Sequence, residues 1–353
     1  METFESLVRA EFAPKNTFLN TASSGLLPAR TVTALHEAAL IRAEGRPLDP
    51  LFQDVEQSRA VFARLAGVPV ARVAAGPSVS TYSGLVAASL PPGAEVLTAE
   101  DDFTSVVNPF HARGDLKVRI VPLERLADSV RPGTALVAVS AAQSADGRIA
   151  DLPALREAAR AHGTRTYVDF SQAAGWLPVD AESYDYTVST TFKWLLGPHG
   201  AAFLVVPPES EGFGDLKPVL AGWVAGEVPW DSCYGPITEL AHSARRFDVS
   251  PALFTWAGTR RSLELLEELG VDAVRAHDLA LADRFRTGLA DLGHAPLPAP
   301  GSPIVSVPGL GGRQPGLSAA GIEVSNRAGN LRASFHLYNT TADVDRLLDA
   351  LSD

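Results

Sequence analysis

The segment TYVDFSQAAGWLPVDAESYDYTVSTTFKWLLGPHG, residues 166–200, decides the fold of this chain. Asp169 stands at the end of the apolar run TYVDF, and Lys193 follows a short β-rich run among aromatic and leucine side chains. Desolvation in such surroundings lowers the pKa of a lysine and makes its amine nucleophilic. Taken alone, each residue also fits an ordinary role, since aspartates cap helices and lysines lie along apolar surfaces.

Short apolar runs alternate with helix-compatible segments on both sides of these two residues. The runs are AEVLT (94–98), KVRIVPL (117–123), TALVAVS (134–140), RTYVDF (165–170), DYTVST (185–190) and AAFLVV (201–206). Between them, LPALREAARAHG (152–163) has apolar residues at helical spacing and a closing Gly163. The alternation predicts an α/β fold with a mostly parallel sheet covered on both faces. Ligands bind at the carboxyl ends of the strands in such sheets.

The rest of the chain predicts a second, smaller unit. Residues 262–293 form a helical tract broken near Gly270, and two strand-like runs precede a helix that begins at Thr341. Residues 208–245, rich in glycine, proline and tryptophan, are expected to be an active-site loop region. The predicted division is an N-terminal segment at 1–45 that packs with the small domain, a large domain at 46–245, and a small α+β domain at 246–353.

Composition narrows the class of partner. The formal net charge of −11 argues against nucleic acid and anionic membrane, because both require a basic surface. Cys233 is the one cysteine, so no intramolecular disulfide is possible, and a thiol-poor chain fits a reducing compartment. With no signal pattern at Met1 and no membrane-length apolar run, we predict a cytoplasmic protein. The eight histidines show no paired ligand spacing, so no metal site is predicted.

Four stretches together resemble one enzyme family, the class V aminotransferase and cysteine desulfurase-like family of fold-type I pyridoxal 5′-phosphate (PLP) enzymes. They are DFSQ (169–172), STTFKWLLGPHG (189–200), LNTASSGLLP (19–28) and LRASFHLYNTTADVDRL (331–347). The resemblance implies a large domain with a mostly parallel, seven-stranded type of sheet between helices, plus a small α+β domain. It also implies PLP as the cofactor.

The resemblance assigns roles around the cofactor ring. Lys193 matches the lysine that holds PLP as a Schiff base and moves the proton at the substrate Cα. Asp169 matches the partner of the pyridine nitrogen, where a carboxylate keeps the ring an electron sink. Gln172 matches the donor to the phenolic oxygen, and Gln143 matches a position beside that oxygen and the substrate. Phe103 matches the side chain that stacks on the ring, although an aromatic residue there is equally typical of a core.

Other positions match contacts to the phosphate. Ser78 and Val79, in GPSVS (76–80), match a turn that opens a helix from about Thr81, and helix N-termini suit phosphates. Without the other motifs, this turn would indicate only a serine-capped helix. Thr190 matches a hydroxyl that reaches the phosphate. Ser250, in ARRFDVSPALF (244–254), matches a contact from the neighbouring subunit, so the resemblance implies a homodimer with the active site at its interface.

On the substrate side, Arg332 matches the arginine that grips the amino-acid carboxylate, because a guanidinium pairs bidentately with a carboxylate. A surface salt bridge is its ordinary alternative. The pocket around the substrate side chain is expected to include Ser23, Ser24, Trp223 and Tyr234. His336, Tyr338 and Asn339 are expected to be structural.

Two departures from the family pattern shape the predicted activity. Phe192 replaces the histidine that many members have before the lysine. Residues 309–330 contain no cysteine, and Cys233 is expected to be a buried or incidental thiol, which disfavours a persulfide-forming desulfurase. The predicted function is chemistry at the Cα of a free amino acid through an external aldimine, either aminotransferase or β-elimination of the C–S lyase type. The alternatives are an amino-acid epimerase or racemase of the isopenicillin-N-epimerase type, and a non-catalytic PLP-fold binding protein.

Overall fold

The computed structural model describes residues 3–352. Its α-helices are α1 (Phe4–Glu11), α2 (Ala29–Ala43), α3 (Asp49–Leu65), α4 (Val79–Ser89), α5 (Thr104–Ala112), α6 (Leu152–His162), α7 (Leu253–Leu269), α8 (Val271–Asp291), α9 (Gln314–Ala319) and α10 (Thr341–Ser352). Its strands are β1 (Thr17–Phe18), β2 (Val73–Gly76), β3 (Glu95–Ala99), β4 (Lys117–Val121), β5 (Thr134–Ser140), β6 (Arg165–Asp169), β7 (Tyr186–Thr190), β8 (Ala202–Val205), β9 (Ile304–Val307), β10 (Ile322–Glu323), β11 (Ser325–Arg327) and β12 (Asn330–Ser334).

A seven-stranded sheet in the order β2-β8-β7-β6-β5-β3-β4 forms the centre of the larger unit. Strands β3 to β7 pair in parallel, whereas β8 runs antiparallel to both β7 and β2. The predicted α/β fold class is therefore confirmed. Two details of the sequence prediction were wrong: the strand β2 was missed, and α4 begins at Val79 with Ser78 as its N-cap, ahead of the expected Thr81.

Both faces of this sheet are buried, as the alternation of strands and helices predicts. In β5, Val137 and Val139 belong to one hydrophobic core, and Leu136 and Ala138 belong to the core on the opposite face. Successive residues of a strand point to opposite faces, so an apolar run without alternation fits a sheet covered on both sides. The sheet is thereby held rigid at the edge where its parallel strands end.

Helix α6 shows how local sequence sets these boundaries. Asp151 caps it by accepting a hydrogen bond from the backbone N–H of Ala154 at 3.0 Å. Leu155 and Ala159 face the core, and Gly163 ends the helix at φ 63°, a left-handed conformation that glycine adopts without strain. The predicted break between α7 and α8 is likewise confirmed at Gly270, whose φ is 79°.

The smaller unit is built on the antiparallel sheet β11-β12-β9, with α8 and α10 packed against it. Strand β1 pairs in parallel with β10, and Asn20 forms a β-bridge with Ser334. Helix α2 packs against α7, so residues 17–43 contact both units. The predicted loop region, 208–245, is part of a longer stretch, 208–252, in which the only helices are short 3₁₀ helices. Within residues 3–352, no helix is both long and apolar enough to cross a bilayer.

Candidate active site

Lys193 and Asp169 lie at the same edge of the central sheet. Asp169 is the last residue of β6, and Lys193 follows the last residue of the neighbouring parallel strand β7 by three positions. Both side chains are buried, with Lys193 5% and Asp169 3% exposed. Burial lowers the pKa of Lys193 to about 8, against the opposing pull of Asp169. Burial also raises the pKa of Asp169 to about 6. The pair thus holds an amine that loses its proton readily beside a carboxylate.

The Asp169 carboxylate has room for another hydrogen-bond donor. Its Oδ1 accepts the backbone N–H of Ser171 at 2.8 Å, and Ser171 is the one residue within 3–352 that hydrogen-bonds to this carboxylate. A buried carboxylate with so few donors suits a cationic ring N–H, because a charge-assisted hydrogen bond offsets the cost of its burial.

Phe103 covers the open side of the lysine. The Nζ atom of Lys193 lies 4.8 Å from the centroid of the Phe103 ring and 5.6 Å from that of Phe192. Phe103 is 43% exposed, so it is not a core residue. The preceding Asp102 fixes its position, because the Asp102 carboxylate accepts the backbone N–H of Ser140, at the end of β5, at 2.8 Å. An exposed ring this close to the Lys193 amine suits stacking on a flat group bound to that amine.

Ser78 caps α4 at the same edge of the sheet. Its Oγ accepts the backbone N–H of Thr81 at 3.3 Å and lies 3.1 Å from the hydroxyl of Ser80 and 2.9 Å from that of Thr81. The buried Thr190 donates its backbone N–H to Ser171 Oγ at 3.0 Å, and its own hydroxyl makes only a long contact of 3.4 Å with a carbonyl. These hydroxyls and the start of α4 fit a phosphate group.

Two buried glutamines, Gln143 and Gln172, follow the ends of strands β5 and β6. Gln172 accepts the indole N–H of Trp194 at 2.8 Å and donates to the Ala22 carbonyl at 2.9 Å and to Ser144 Oγ at 3.0 Å. Its amide is therefore fully engaged, and donation to a cofactor oxygen requires release of one of these contacts. Gln143 is buried and donates within its own turn at 3.3 Å. The two side chains line the strand ends, but their predicted cofactor contacts stay predictions.

Arg332 on β12 is fully buried and has no carboxylate partner within residues 3–352. Its Nε donates to Ser325 Oγ at 3.1 Å, one terminal nitrogen donates to the Ser144 carbonyl, and the other donates to Ser23 Oγ at 2.7 Å. Burial and the nearby Arg327 lower its pKa to about 9. The alternative of a surface salt bridge is therefore excluded. A buried guanidinium held only by neutral groups suits an anionic ligand, and the predicted carboxylate contact of Arg332 stays a prediction.

The N-terminal loop closes the site from the side of the small unit. Gly25 donates its backbone N–H to the Phe192 carbonyl at 2.8 Å, and Ser24 Oγ lies 3.4 Å from the same oxygen. A Cβ atom on Gly25 would lie 2.2 Å from the Lys193 carbonyl oxygen, which only glycine avoids. Ser23 thus contacts Arg332 and Ser24 lies next to the residue before Lys193, while their predicted place in the substrate pocket stays a prediction.

The structure does not bring every predicted residue to this site. Trp223 lies against Phe52 and Trp230, at ring-centroid distances of 5.9 and 4.8 Å. Ser250 is exposed, and Tyr234 is 94% exposed. Cys233 is also exposed, because its 3₁₀ turn lies on the surface, so of the two expected possibilities, a buried or an incidental thiol, the buried one is wrong. The substrate roles of Trp223 and Tyr234 and the phosphate role of Ser250 stay predictions.

The motif around Arg332 also supplies packing. His336 lies between Asp278 Oδ2 at 2.8 Å and the Trp194 carbonyl at 3.1 Å, which ties α8 to the segment after Lys193. Asn339 donates to the Phe18 carbonyl at 2.8 Å. The hydroxyl of Tyr338 meets that of Thr21 at 2.5 Å. The predicted structural role of His336, Tyr338 and Asn339 matches these contacts.

Sequence reasoning missed three residues of the site. Asp102 positions Phe103, Ser144 joins Gln172 to Arg332, and Arg327 reaches Ser23 Oγ at 3.0 Å. Ser144 directly follows Gln143 and so left a local signal, whereas the place of Arg327 beside Arg332 depends on how β11 pairs with β12. Within the described chain, 3–352, no group of three or more potential ligands could hold a metal ion.

Comparisons with known proteins agree with this geometry. The family model for class-V aminotransferases matches residues 33–308. An isopenicillin N epimerase from Streptomyces clavuligerus is 31% identical over 94% of this chain and 93% of its own length. An uncharacterized aminotransferase from Bacillus subtilis, YcbU, is 29% identical over 85% of this chain and 84% of its own length.

Solved structures share the fold. The cystine C–S lyase C-DES, in complex with cysteine persulfide, matches with a TM-score of 0.87 at 24% identity, covering 96% of this chain and 98% of that one. The cysteine desulfurase CsdA from Escherichia coli matches with a TM-score of 0.86 at 21% identity. This match covers 99% of this chain and 98% of the CsdA chain. The predicted family, fold type and cofactor are thereby confirmed. The chain belongs to the class-V aminotransferase family, whose cofactor is pyridoxal 5′-phosphate.

Proposed function

We propose that this enzyme acts at the Cα of a free amino acid, with Lys193 as its cofactor-holding residue and Arg332 as its carboxylate-binding residue. The observation that carries the proposal is the fully buried Arg332 guanidinium, which has no carboxylate partner within residues 3–352. An α-carboxylate is the anion that every amino acid supplies, and its two oxygens fit the guanidinium fork.

The residues at the sheet edge fit the cofactor. When bound, PLP withdraws electrons from the substrate Cα. Asp169 would hold the proton on the ring nitrogen, because its carboxylate has one backbone donor and accepts a second without rearrangement. Phe103 would cover one face of the ring, and Gln172 and Gln143 would approach its phenolic oxygen. The phosphate would lie against Ser78, Val79 and Thr190.

Lys193 has the properties of a base as well as an anchor. Its pKa of about 8 leaves about a tenth of the amine neutral at pH 7, on the order of a few hundred times the neutral fraction of an ordinary lysine. A group that gives and takes a proton works best when its pKa lies near the working pH. Arg332 would orient the substrate so that its Cα proton faces the Lys193 amine.

We favour aminotransferase or β-elimination chemistry for the step that follows. Residues 309–330 contain no thiol, so the segment before Arg332 has no cysteine to carry a persulfide, and the one cysteine, the exposed Cys233, lies in the 208–252 loop region. Epimerisation is the second candidate, because a relative named for that activity is 31% identical over nearly the whole chain. A binding-only protein is disfavoured, since Lys193 and Asp169 are both present and each is matched to chemistry.

We also infer a homodimer. Large apolar side chains are exposed along the loop region that carries Ser250 and at the start of α7: Val219, Leu220, Val228, Trp230, Tyr234 and Phe254. Burial of such a surface stabilises association. In a dimer, Ser250 would reach the phosphate of the neighbouring subunit. The cytoplasmic location stays a prediction from the thiol-poor sequence.

The test begins with the visible absorption of the protein with PLP. Wild-type protein should turn yellow, Lys193→Ala should not form the same band, and the exposed control Lys217→Ala should behave as wild type. A band unchanged in Lys193→Ala would show that this lysine does not hold the cofactor.

A panel of amino acids then separates the reactions. A lasting change to the aminated cofactor indicates transamination. Release of ammonia with a keto acid, followed by return of the band, indicates β-elimination. Recovery of the mirror-image amino acid, resolved by chiral chromatography, would instead establish epimerisation.

A further inference from the structure

The hairpin β11–β12 places two arginines on one face. In its antiparallel register, Ser325 lies opposite Arg332 and Arg327 lies opposite Asn330. Residues two apart on a strand point to the same face, so Arg327 shares the face of Ser325 and Arg332. The hydrogen bond from Arg332 Nε to Ser325 Oγ at 3.1 Å lies on that face. The two guanidinium groups are therefore diagonal neighbours at the mouth of the active site.

Both guanidinium groups converge on one hydroxyl. Ser23 Oγ receives a hydrogen bond from Arg332 at 2.7 Å and another from Arg327 at 3.0 Å. Its own proton goes to Asn20 Oδ1 at 2.7 Å. Arg327 otherwise donates only to the neighbouring Asn326 carbonyl at 3.0 Å, and it forms no ion pair within residues 3–352. The two guanidinium groups thus share one neutral hydroxyl as an acceptor, at a place where a carboxylate could accept hydrogen bonds from both.

The two positive charges of Arg327 and Arg332 beside Ser23 exceed the single negative charge that an α-carboxylate supplies. Arg327 and Arg332 meet at Ser23 Oγ, and the positive charge of each lowers the pKa of Lys193. Diagonal like charges on one sheet face repel each other. An α-carboxylate held by Arg332 neutralises one guanidinium, while the exposed Arg327 stays free to follow a longer ligand.

We propose that Arg327 binds a second acidic group, so the preferred substrates are amino acids with a carboxylate on the side chain. The inference rests on the proposed function, because it takes Arg332 as the α-carboxylate site. The ordinary alternative is a solvated arginine near a hairpin turn. That alternative explains neither the shared Ser23 acceptor nor the absence of an acidic partner in a chain with 41 acidic and 30 basic residues.

The test compares two unreactive ligands of similar size, glutarate with two carboxylates and butyrate with one, by calorimetry on the PLP-loaded enzyme. Wild type should bind glutarate about tenfold or more tightly than butyrate, as one added charge-assisted contact predicts. Arg327→Gln should lose this preference, and Arg327→Lys should keep part of it. Arg125→Gln, at an exposed arginine on another surface, should keep all of it.

Equal affinities for the two ligands in wild type, including no measurable binding of either, would overturn the inference. So would an undiminished glutarate preference in Arg327→Gln. These outcomes are separate from a failure of the proposed function, which appears as a cofactor band that survives in Lys193→Ala. With reactive substrates, Arg327→Gln should raise KM for L-glutamate about tenfold or more while leaving KM for L-alanine unchanged.

Discussion

Lys193, Asp169 and Arg332 place three ionisable side chains in the interior, each with fewer partners than buried charges usually have. The lowered pKa of Lys193 and the raised pKa of Asp169 both follow from burial, and each residue limits the shift of the other. Arg332 is held by serines and a carbonyl alone. At the scale of the residue, the site is arranged to receive charged groups.

The pKa of Lys193 predicts how fast the cofactor attaches at different pH. Only the neutral amine attacks the aldehyde of PLP, and its fraction rises with pH through the pKa of about 8. The rate of holoenzyme formation should therefore rise with pH and level off above about 8, followed as the yellow band appears.

The effect of Asp169 on the pKa of Lys193 supplies a control. Asp169 raises the pKa of Lys193, so Asp169→Asn should lower that pKa and move the plateau to lower pH. If the wild-type rate still increases as the pH approaches 10.5, which is the ordinary pKa of a lysine, the Lys193 amine is not desolvated.

Arg332→Gln should separate binding from stability. It removes the guanidinium fork, and KM for amino-acid substrates should rise about a hundredfold, the equivalent of losing two charge-assisted hydrogen bonds. No buried carboxylate is left without a partner, so the free energy of unfolding should change by no more than about 1 kcal/mol. Steady-state kinetics and urea denaturation check the two expectations. Loss of several kcal/mol would instead show that Arg332 mainly holds the fold together.

Among the helices and strands, a buried ion pair holds the end of β2, the strand that leads to Ser78 and the start of α4. Arg59 on α3 and Asp248 lie 2.7 Å apart, and both are almost completely buried. The Asp248 carboxylate also accepts the backbone N–H of Ala75 on β2 at 2.8 Å. The pair therefore joins α3, the end of β2 and the loop that carries Ser250.

Asp248→Asn should destabilise the fold by about 3 kcal/mol, because it leaves the Arg59 cation buried without its main partner. In an Arg59→Met background the same change should cost much less, since no buried charge is then abandoned. Urea denaturation of the two single variants and the double variant gives the coupling. Equal costs in both backgrounds would contradict the assigned role of the pair.

The strands also show which parts of the fold the sequence predicts and which parts it does not. Strands β5 to β8 were predicted to within about one residue, because apolar runs bounded by turn residues favour buried strands. Strand β2 was missed because VAAG is short and mostly alanine and glycine, which have little strand preference. Arg332 could be found from its motif. Arg327 could not, because its place beside Arg332 depends on the register of a hairpin, and register is a property of the folded pair.

At the scale of the whole molecule, the site draws on both units and, as proposed, on a second copy of the chain. Lys193 and Asp169 come from the central sheet, Arg332 from the small sheet, and Ser23 from the loop between them. Ser250 is exposed, Trp223 packs against Phe52 and Trp230, and neither side chain hydrogen-bonds to Lys193 within residues 3–352. Sequence motifs could indicate these residues, but one chain cannot show which subunit receives them.

A mixed dimer tests that arrangement. Lys193→Ala and Ser250→Ala subunits carrying different tags would be co-expressed, and the mixed species purified. If Ser250 reaches across a twofold axis, the mixed dimer keeps one intact site, with wild-type cofactor affinity and about half the wild-type activity. If Ser250 acts within its own chain, the mixed dimer has no intact site, and its cofactor affinity should equal that of the Ser250→Ala homodimer.

The pairing of β1 with β10 has a consequence for how the enzyme is made. Phe18 pairs with Glu323, and Asn20 pairs with Ser334, so the loop carrying Ser23 has no partner strand until the far end of the chain has left the ribosome. Contacts between such distant segments form late, because a long loop must close first. The central sheet can fold during synthesis, but Arg332 and Ser23 reach Lys193 only afterwards. The site for the substrate carboxylate should therefore be completed only after chain release, and a nascent chain stalled before β10 should not bind an amino-acid carboxylate.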